Sequence, residues 1–120
     1  MKFERFEDIL AWQKARVIVS KVYEATASCK DWGFNDQIQR AAVSIMNNIA
    51  EGYEKKSNED FSRFLFISKG SCGEVRSMLY VALDLGYVQQ NQYDELYALC
   101  LEESRILSGL IKALDNKKPK

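Results

Sequence analysis

QIQRAAVSIMNNIAEGY, from Gln37 to Tyr53, and FSRFLFISKGSCGEVRSML, from Phe61 to Leu79, decide the fold of this chain. Read at about 100° per residue, Ile38, Ala42, Ile45 and Ile49 fall on one helical stripe, and Arg40, Ser44, Asn47 and Glu51 fall on the opposite one. The first segment is therefore a helix with two working faces. Ala41, Ala42, Ser44 and Ala50 are small enough to let another backbone come close. Gly52 is placed to stop the helix, because glycine accepts φ > 0. In the second segment and just beyond it, Phe61, Phe64, Leu65, Ser68, Ser71, Cys72, Val75, Met78, Leu79 and Ala82 share one face.

Working outward, the spacing predicts helices over about 7–29, 35–54, 58–85 and 92–116. Ala11, Ala15, Ile18, Val22 and Ala25 form the apolar stripe of the first. Tyr93, Leu96, Tyr97, Cys100, Leu107, Ile111 and Leu114 form that of the last. Asn35 or Asp36 is expected to cap the second helix and Asn91 the fourth, each accepting from a free backbone N–H. Ser57-Asn58-Glu59-Asp60 resembles a capping box and opens the third, which Gly86 ends. The C-terminal Asn116 to Lys120 is expected to fray, and the only proline, Pro119, falls there. No run alternates as a strand, and no Asn-Gly or Asp-Gly turn joins two such runs. Four amphipathic helices joined by short turns predict an all-α, up-down-up-down antiparallel four-helix bundle, one domain over residues 1–120.

Composition bounds the function. A chain of 120 residues has the size of one domain and buries roughly two-thirds of its unfolded surface. Lys plus Arg is 17 and Asp plus Glu is 17, so no single-signed field draws in nucleic acid or an anionic membrane. No apolar run approaches the roughly 20 residues of a membrane span, and MKFERFEDIL lacks the apolar stretch of a signal peptide, which points to the cytoplasm. Cys29, Cys72 and Cys100 lie far apart with no histidine in the chain, so zinc spacing is absent and buried free thiols are expected.

The third helix has more apolar surface than a monomeric bundle uses. Opposite its core stripe lie Phe66, Gly70, Gly73, Ser77 and Tyr80, among Arg63, Lys69 and Arg76. Glycine inside an exposed helix costs about 1 kcal/mol against alanine, so two of them three residues apart imply either relief of crowding within the bundle or close packing of another subunit. On the second helix, the row Arg40, Ser44, Asn47 and Glu51 reads either as a solvated face or as a register device in which Arg40 reaches Glu74.

Nothing in the chain reads as catalytic. There is no histidine, no Gly-rich phosphate loop and no Glu-x-x-His repeat. The acid pairs Glu59-Asp60, Asp94-Glu95 and Glu102-Glu103 point roughly 100° apart on a helix and read as solvated charges, the core stripes being apolar. No metal or cofactor is implied. Local basic groups remain: Lys55, Lys56, Arg63, Lys69 and Arg76 near the second turn and outer third helix, and Lys112, Lys117, Lys118 and Lys120 at the C-terminus. Such groups suffice for phosphate contacts, with Phe66 and Tyr80 able to stack on bases.

Phe6, Ile9-Leu10-Ala11-Trp12-Gln13-Lys14-Ala15, QIQRAAVSIMNNIAEG, Phe64-Leu65, Gly70-Ser71 with Glu74, and Leu85-Gly86-Tyr87-Val88 together resemble the bacterial four-helix bundle proteins encoded within intervening sequences of large-subunit ribosomal RNA genes. The resemblance runs from Phe6 to about Leu114. It implies an antiparallel four-helix bundle assembled as a ring-like homopentamer. It also implies kinship with the accessory protein of diversity-generating retroelements, which partners a reverse transcriptase and binds nucleic acid through a basic surface. The ribosomal label of the family reflects gene location and predicts no ribosome component. Arg40, Asn48, Glu51, Gly52, Ser71 and Glu74 match the family motif and are expected to shape the bundle and the ring. Gln39 stands where relatives often carry a second basic residue, and the first interhelical turn, Cys29 to Gly33, lacks the proline common there. The expected function is a non-catalytic, homo-oligomeric scaffold or adaptor for a protein partner, with a nucleic-acid-binding accessory factor as the alternative. Neutral net charge favours the former.

Overall fold

The structure, a computed structural model, describes residues 3–116. A 3-10 turn, Phe6–Asp8, leads into α1 (Leu10–Thr26), α2 (Trp32–Glu54), α3 (Asn58–Asp84) and α4 (Gln90–Asp115). Each helix packs on its neighbours in sequence and α1 closes on α4, which is the expected all-α four-helix bundle, 50 × 20 × 19 Å. Among the described residues there is no strand. Lys117, Lys118, Pro119 and Lys120 lie outside the described residues.

The helix boundaries follow the capping chemistry, and they depart from the sequence reading at both ends of α1 and at the starts of α2 and α4. The first α-helix starts at Leu10 because Ile9, 1% exposed, drops into the core with an extended backbone (φ −79°, ψ 122°), while the preceding 3-10 turn is held by Gln13 Nε2 donating to Glu7 O at 2.9 Å. It ends at Thr26, whose Oγ1 bonds back to Val22 O at 2.9 Å. The second starts at Trp32, three residues ahead of the expectation, because Asp31 is the cap and accepts from Phe34 N at 3.1 Å. Asn35 is instead buried inside the helix and donates to Cys29 O at 2.8 Å, and Gln39 Nε2 donates to Thr26 Oγ1 at 3.1 Å. Side chains of α2 thereby tie down the α1–α2 turn without a proline. The fourth starts at Gln90: Gln92 Oε1 accepts from Gln89 N at 2.8 Å, and Asn91 is a helical residue rather than a cap.

Ser57 caps α3 as expected, accepting from Asp60 N at 3.1 Å, and Gly86 (φ 72°) takes the left-handed position after it. The stop after α2 is different. Lys56 (φ 67°), not Gly52, adopts the left-handed conformation. Gly52 is buried within the helix, where an added Cβ would stand 2.6 Å from Phe64 Cβ and 3.3 Å from Phe61 Cδ1. Its role is to let α3 approach.

The α2–α3 pair has the most extensive contact in the bundle. Ser68 Oγ donates to Ile45 O at 2.7 Å, and the hydroxyls of Ser44 and Ser71 meet at 2.8 Å. Around this pair Ile18, Ile45, Ile49, Leu65, Leu79 and Leu107 are sealed from water, and each such side chain contributes about 1.5–3 kcal/mol by burial.

Alanine at Gly52 should gain about 1 kcal/mol of helix propensity and lose more to the collision with Phe64, for a net destabilisation of about 1–2 kcal/mol. Lys56→Gly should stabilise by about 0.5–1 kcal/mol, since glycine takes the left-handed position without strain. Urea denaturation of the two variants checks both signs.

Candidate functional site

On the solvent side of α3, the sequence-predicted residues form one continuous strip. Phe66 is 56% exposed and Tyr80 51%, with Gly70, Gly73 and Ser77 between them. A Cβ added at Gly70 or Gly73 would meet nothing within 4 Å, so neither glycine relieves crowding inside the bundle. The strip is wider than the sequence reading gave. Ile67 and Val81 lie exposed along it, and Leu85 continues it past the helix end. Ile67 lies three residues before Gly70 and seven before Glu74, and Val81 lies four after Ser77 and four before Leu85, a helical spacing that could have found them.

Tyr80 joins this strip to α4. Its ring makes edge contacts with Tyr93 and Tyr97, at centroid distances of 5.7 and 5.8 Å, and its hydroxyl donates to Tyr97 Oη at 3.4 Å. The Arg76 guanidinium lies over the Tyr97 ring at 5.9 Å. Near the other end, Phe66, Lys69, Ser108, Ile111, Lys112 and Asp115 line an open groove of about 220 Å³ between α3 and α4.

The polar motif of α2 and α3 divides. Ser44, Ser71 and Asn48 come together: Asn48 Nδ2 donates to Ser44 O at 2.8 Å and to Ser44 Oγ at 2.9 Å, completing the network begun by the Ser44–Ser71 contact. Arg40 does not reach Glu74. It pairs within its own helix with Asp36 at 3.0 Å, its side chain 80% exposed, while Glu74 accepts from Gln37 Nε2 at 3.4 Å. The expected register device is thus a serine–asparagine network, not an ion pair. Arg40, Ser44, Asn47 and exposed Glu51 line a shallow groove of about 440 Å³ with Tyr23 of α1.

The basic residues also separate. Lys55 and Arg63 both stand over the Phe64 ring, at 5.8 and 4.7 Å, and Lys56 stands over Tyr53 at 5.5 Å, so three cations gather at the α2–α3 corner. Arg63 also pairs with Asp60 at 3.2 Å. Lys69 lies farther along α3, and Arg76 turns toward α4.

Sequence reasoning misplaced Glu103. It is 0% exposed in the bundle interior, not a solvated charge, and neither carboxyl oxygen has a hydrogen-bond partner. Burial pushes its pKa up to about 9, with nearby Cys72 and Glu102 adding to the shift and Lys14 opposing it. Cys72 and Cys100 lie alongside, both free and fully buried, with Cys72 Sγ donating to Cys100 O at 3.1 Å. The hydrogen bond with Cys72 and burial hold the Cys100 thiol far above its ordinary range. Cys29 is likewise free and buried. Among the described residues, no three His, Cys, Asp or Glu side chains are grouped to hold a metal ion, and no helix is long and apolar enough to cross a membrane.

The model of the 23S rRNA-intervening sequence protein family matches residues 7–109. The chain belongs to that family. Its fold is shared by a Bacteroides thetaiotaomicron protein of unknown function from the S23 ribosomal protein family, with a TM-score of 0.80 and 23% sequence identity over 86% of this chain and 99% of that one. No curated protein matches the chain. The family's description refers to an intervening sequence in ribosomal RNA, and the Bacteroides relative carries no stated activity.

Because Ser44 and Ser71 touch and Arg40 and Glu74 do not, double-mutant cycles should separate them. Ser44→Ala with Ser71→Ala should show a coupling of about 0.5–1.5 kcal/mol. Arg40→Ala with Glu74→Ala should be additive within about 0.5 kcal/mol. Chemical denaturation of each single and double variant provides the readout.

Proposed function

We propose that this 23S rRNA-intervening sequence family member is a non-catalytic, cytoplasmic scaffold that assembles with copies of itself through the outer face of α3 and presents a composite surface to a protein partner. One observation carries the reading: Gly70 and Gly73 have open space where a side chain would stand, and they are flanked by the exposed Phe66, Ile67, Tyr80 and Val81. Glycines without an intramolecular neighbour, beside apolar side chains left in water, suit a surface against which another backbone packs. The family resemblance supplies the expected count, a ring of five. Arg40, Asn48, Glu51, Ser71 and Glu74 act in this reading on the shape of the bundle, the Asn48–Ser44–Ser71 network fixing how α2 carries α3.

A second reading draws on the α2–α3 corner, where Lys55, Lys56 and Arg63 stand over aromatic rings. A nucleic-acid accessory factor, partnering a reverse transcriptase, would use that corner with Lys69 and Arg76. Five copies in a ring would multiply its charge. The zero net charge of the chain favours the scaffold.

Native mass spectrometry decides both points. The wild-type chain should give an assembly, and Gly73→Leu should reduce it toward the 13.8 kDa of one chain with helicity unchanged by circular dichroism. A Gly73→Leu protein that keeps its assembly mass removes α3 as the contact. Addition of mixed-sequence RNA and DNA should leave the wild-type mass unaltered. Nucleic acid retained at low salt and released at high salt would instead favour the accessory factor, and Lys55→Ala with Arg63→Ala should then weaken retention.

A further inference from the structure

Glu103 is a buried carboxyl group for which the scaffold reading has no use. It occupies the position of α4 between Cys100 and Leu107, on the stripe that faces α1 and α3, and its side chain is completely removed from water. Both carboxyl oxygens lack a partner, and so does the buried Nε of Arg76. The ionisable groups around it come from three helices. From α1, Lys14 approaches, but its ammonium is engaged with Glu102 at 3.0 Å. From α3 come Cys72 and, near Cys100, Arg76, whose guanidinium lies over the Tyr97 ring at 5.9 Å. From α4 itself come Cys100 and Glu102. The buried residues of α2 include no ionisable group. Among the described residues no cation is therefore placed to form a direct pair with a carboxylate at Glu103, and the interior around it suits the neutral acid.

We infer that Glu103 makes the closure of α4 on α1 and α3 proton-linked, so that α4 is released more readily as the solution becomes more alkaline. In the closed bundle Glu103 keeps its proton. When α4 lifts away, the carboxyl reaches water, its O–H bond breaks, the proton passes to solvent and the carboxylate is hydrated. The sign follows from the two states. Below the ordinary pKa of 4.5 both hold the proton and opening is independent of pH; between 4.5 and about 9 only the closed state holds it, so each pH unit favours opening. One proton released per opening corresponds to roughly a tenfold rise in the opening constant per pH unit. The helix so released uncovers the parts of α1 and α3 against which it packs. The inference does not depend on the assembly reading, since it concerns the interior of one chain.

Amide hydrogen exchange of the full chain between pH 6 and 8, corrected for the intrinsic base-catalysed rate, is the test. Opening of α4 amides should rise roughly tenfold per pH unit in the wild type and stay level in Glu103→Gln, which has nearly the same shape and no charge to gain. Glu103→Leu, which also removes the unpartnered polar atoms, serves as a second neutral variant should the amide disturb folding. Parallel pH profiles for the wild type and either folded neutral variant would overturn the inference. So would α2 amides that follow the same tenfold rise as α4, because the proton would then be linked to loss of the whole bundle.

Discussion

The close approach of α2 and α3 is the constraint on which the rest of the structure depends. It is made by what is missing and by what is small: no Cβ at Gly52 where Phe64 arrives, and hydroxyls at Ser44, Ser68 and Ser71 where larger side chains would hold the backbones apart. Each serine that comes into this seam finds a hydrogen-bond partner, a carbonyl for Ser68 and each other for Ser44 and Ser71, so closeness leaves these polar groups satisfied. With this pair fixed, α1 is placed by burying an apolar stripe against it, and α4 by a stripe that is apolar except at Glu103.

Much of this was legible in the sequence because the apolar spacing is regular. The four helices, the capping serine before α3 and the left-handed glycine after it all follow from local chemistry that tertiary packing does not override. Helix ends were less legible where the cap is settled by distant residues. Asp31 caps α2 while Tyr87, 56 positions away, donates to its other oxygen at 2.6 Å, and these two bonds hold the Asp31 carboxyl below its usual pKa. Gly33 reads as a breaker in isolation, yet it is tolerated in the first turn of a helix that begins beside it. Gly52 was read as a stop because glycine has two uses, left-handed backbone and close approach, and only the arrival of α3 distinguishes them.

The candidate site divides along the same line. A surface strip can be read from sequence because it is a row on one helix, and Phe66, Gly70, Gly73, Ser77 and Tyr80 do lie together. Pairings between helices cannot be read with equal security. Arg40 had two carboxylates within conceivable reach, and the one four residues away, Asp36, holds it without ordering a second helix. Glu103 shows the opposite failure: its neighbour Glu102 drew it into an apparent run of surface charge, although three residues from Cys100 and four from Leu107 is the spacing of the core stripe. Position in the repeat, not residue type, settled its environment.

Helix α3 carries three surfaces at once. One face meets α2 through small residues, a second meets α4 through Cys72 and Arg76, and the third is the apolar strip left in water. A helix used on all sides cannot keep a single polar face, which explains why its exposed side mixes Phe66, Ile67 and Val81 with glycine and charge. The two seams also differ in kind. Toward α2, the seam serines are paired across the helices; toward α4, Glu103 and the Arg76 Nε are sealed in without partners. An unsatisfied buried group lowers the stability of the contact that encloses it, so the molecule is built from a firmly registered α2–α3 pair and an α4 whose closure is conditional. Adjustment is therefore concentrated on the side of α3 that faces α4, while the surface proposed for self-assembly stays attached to the rigid half.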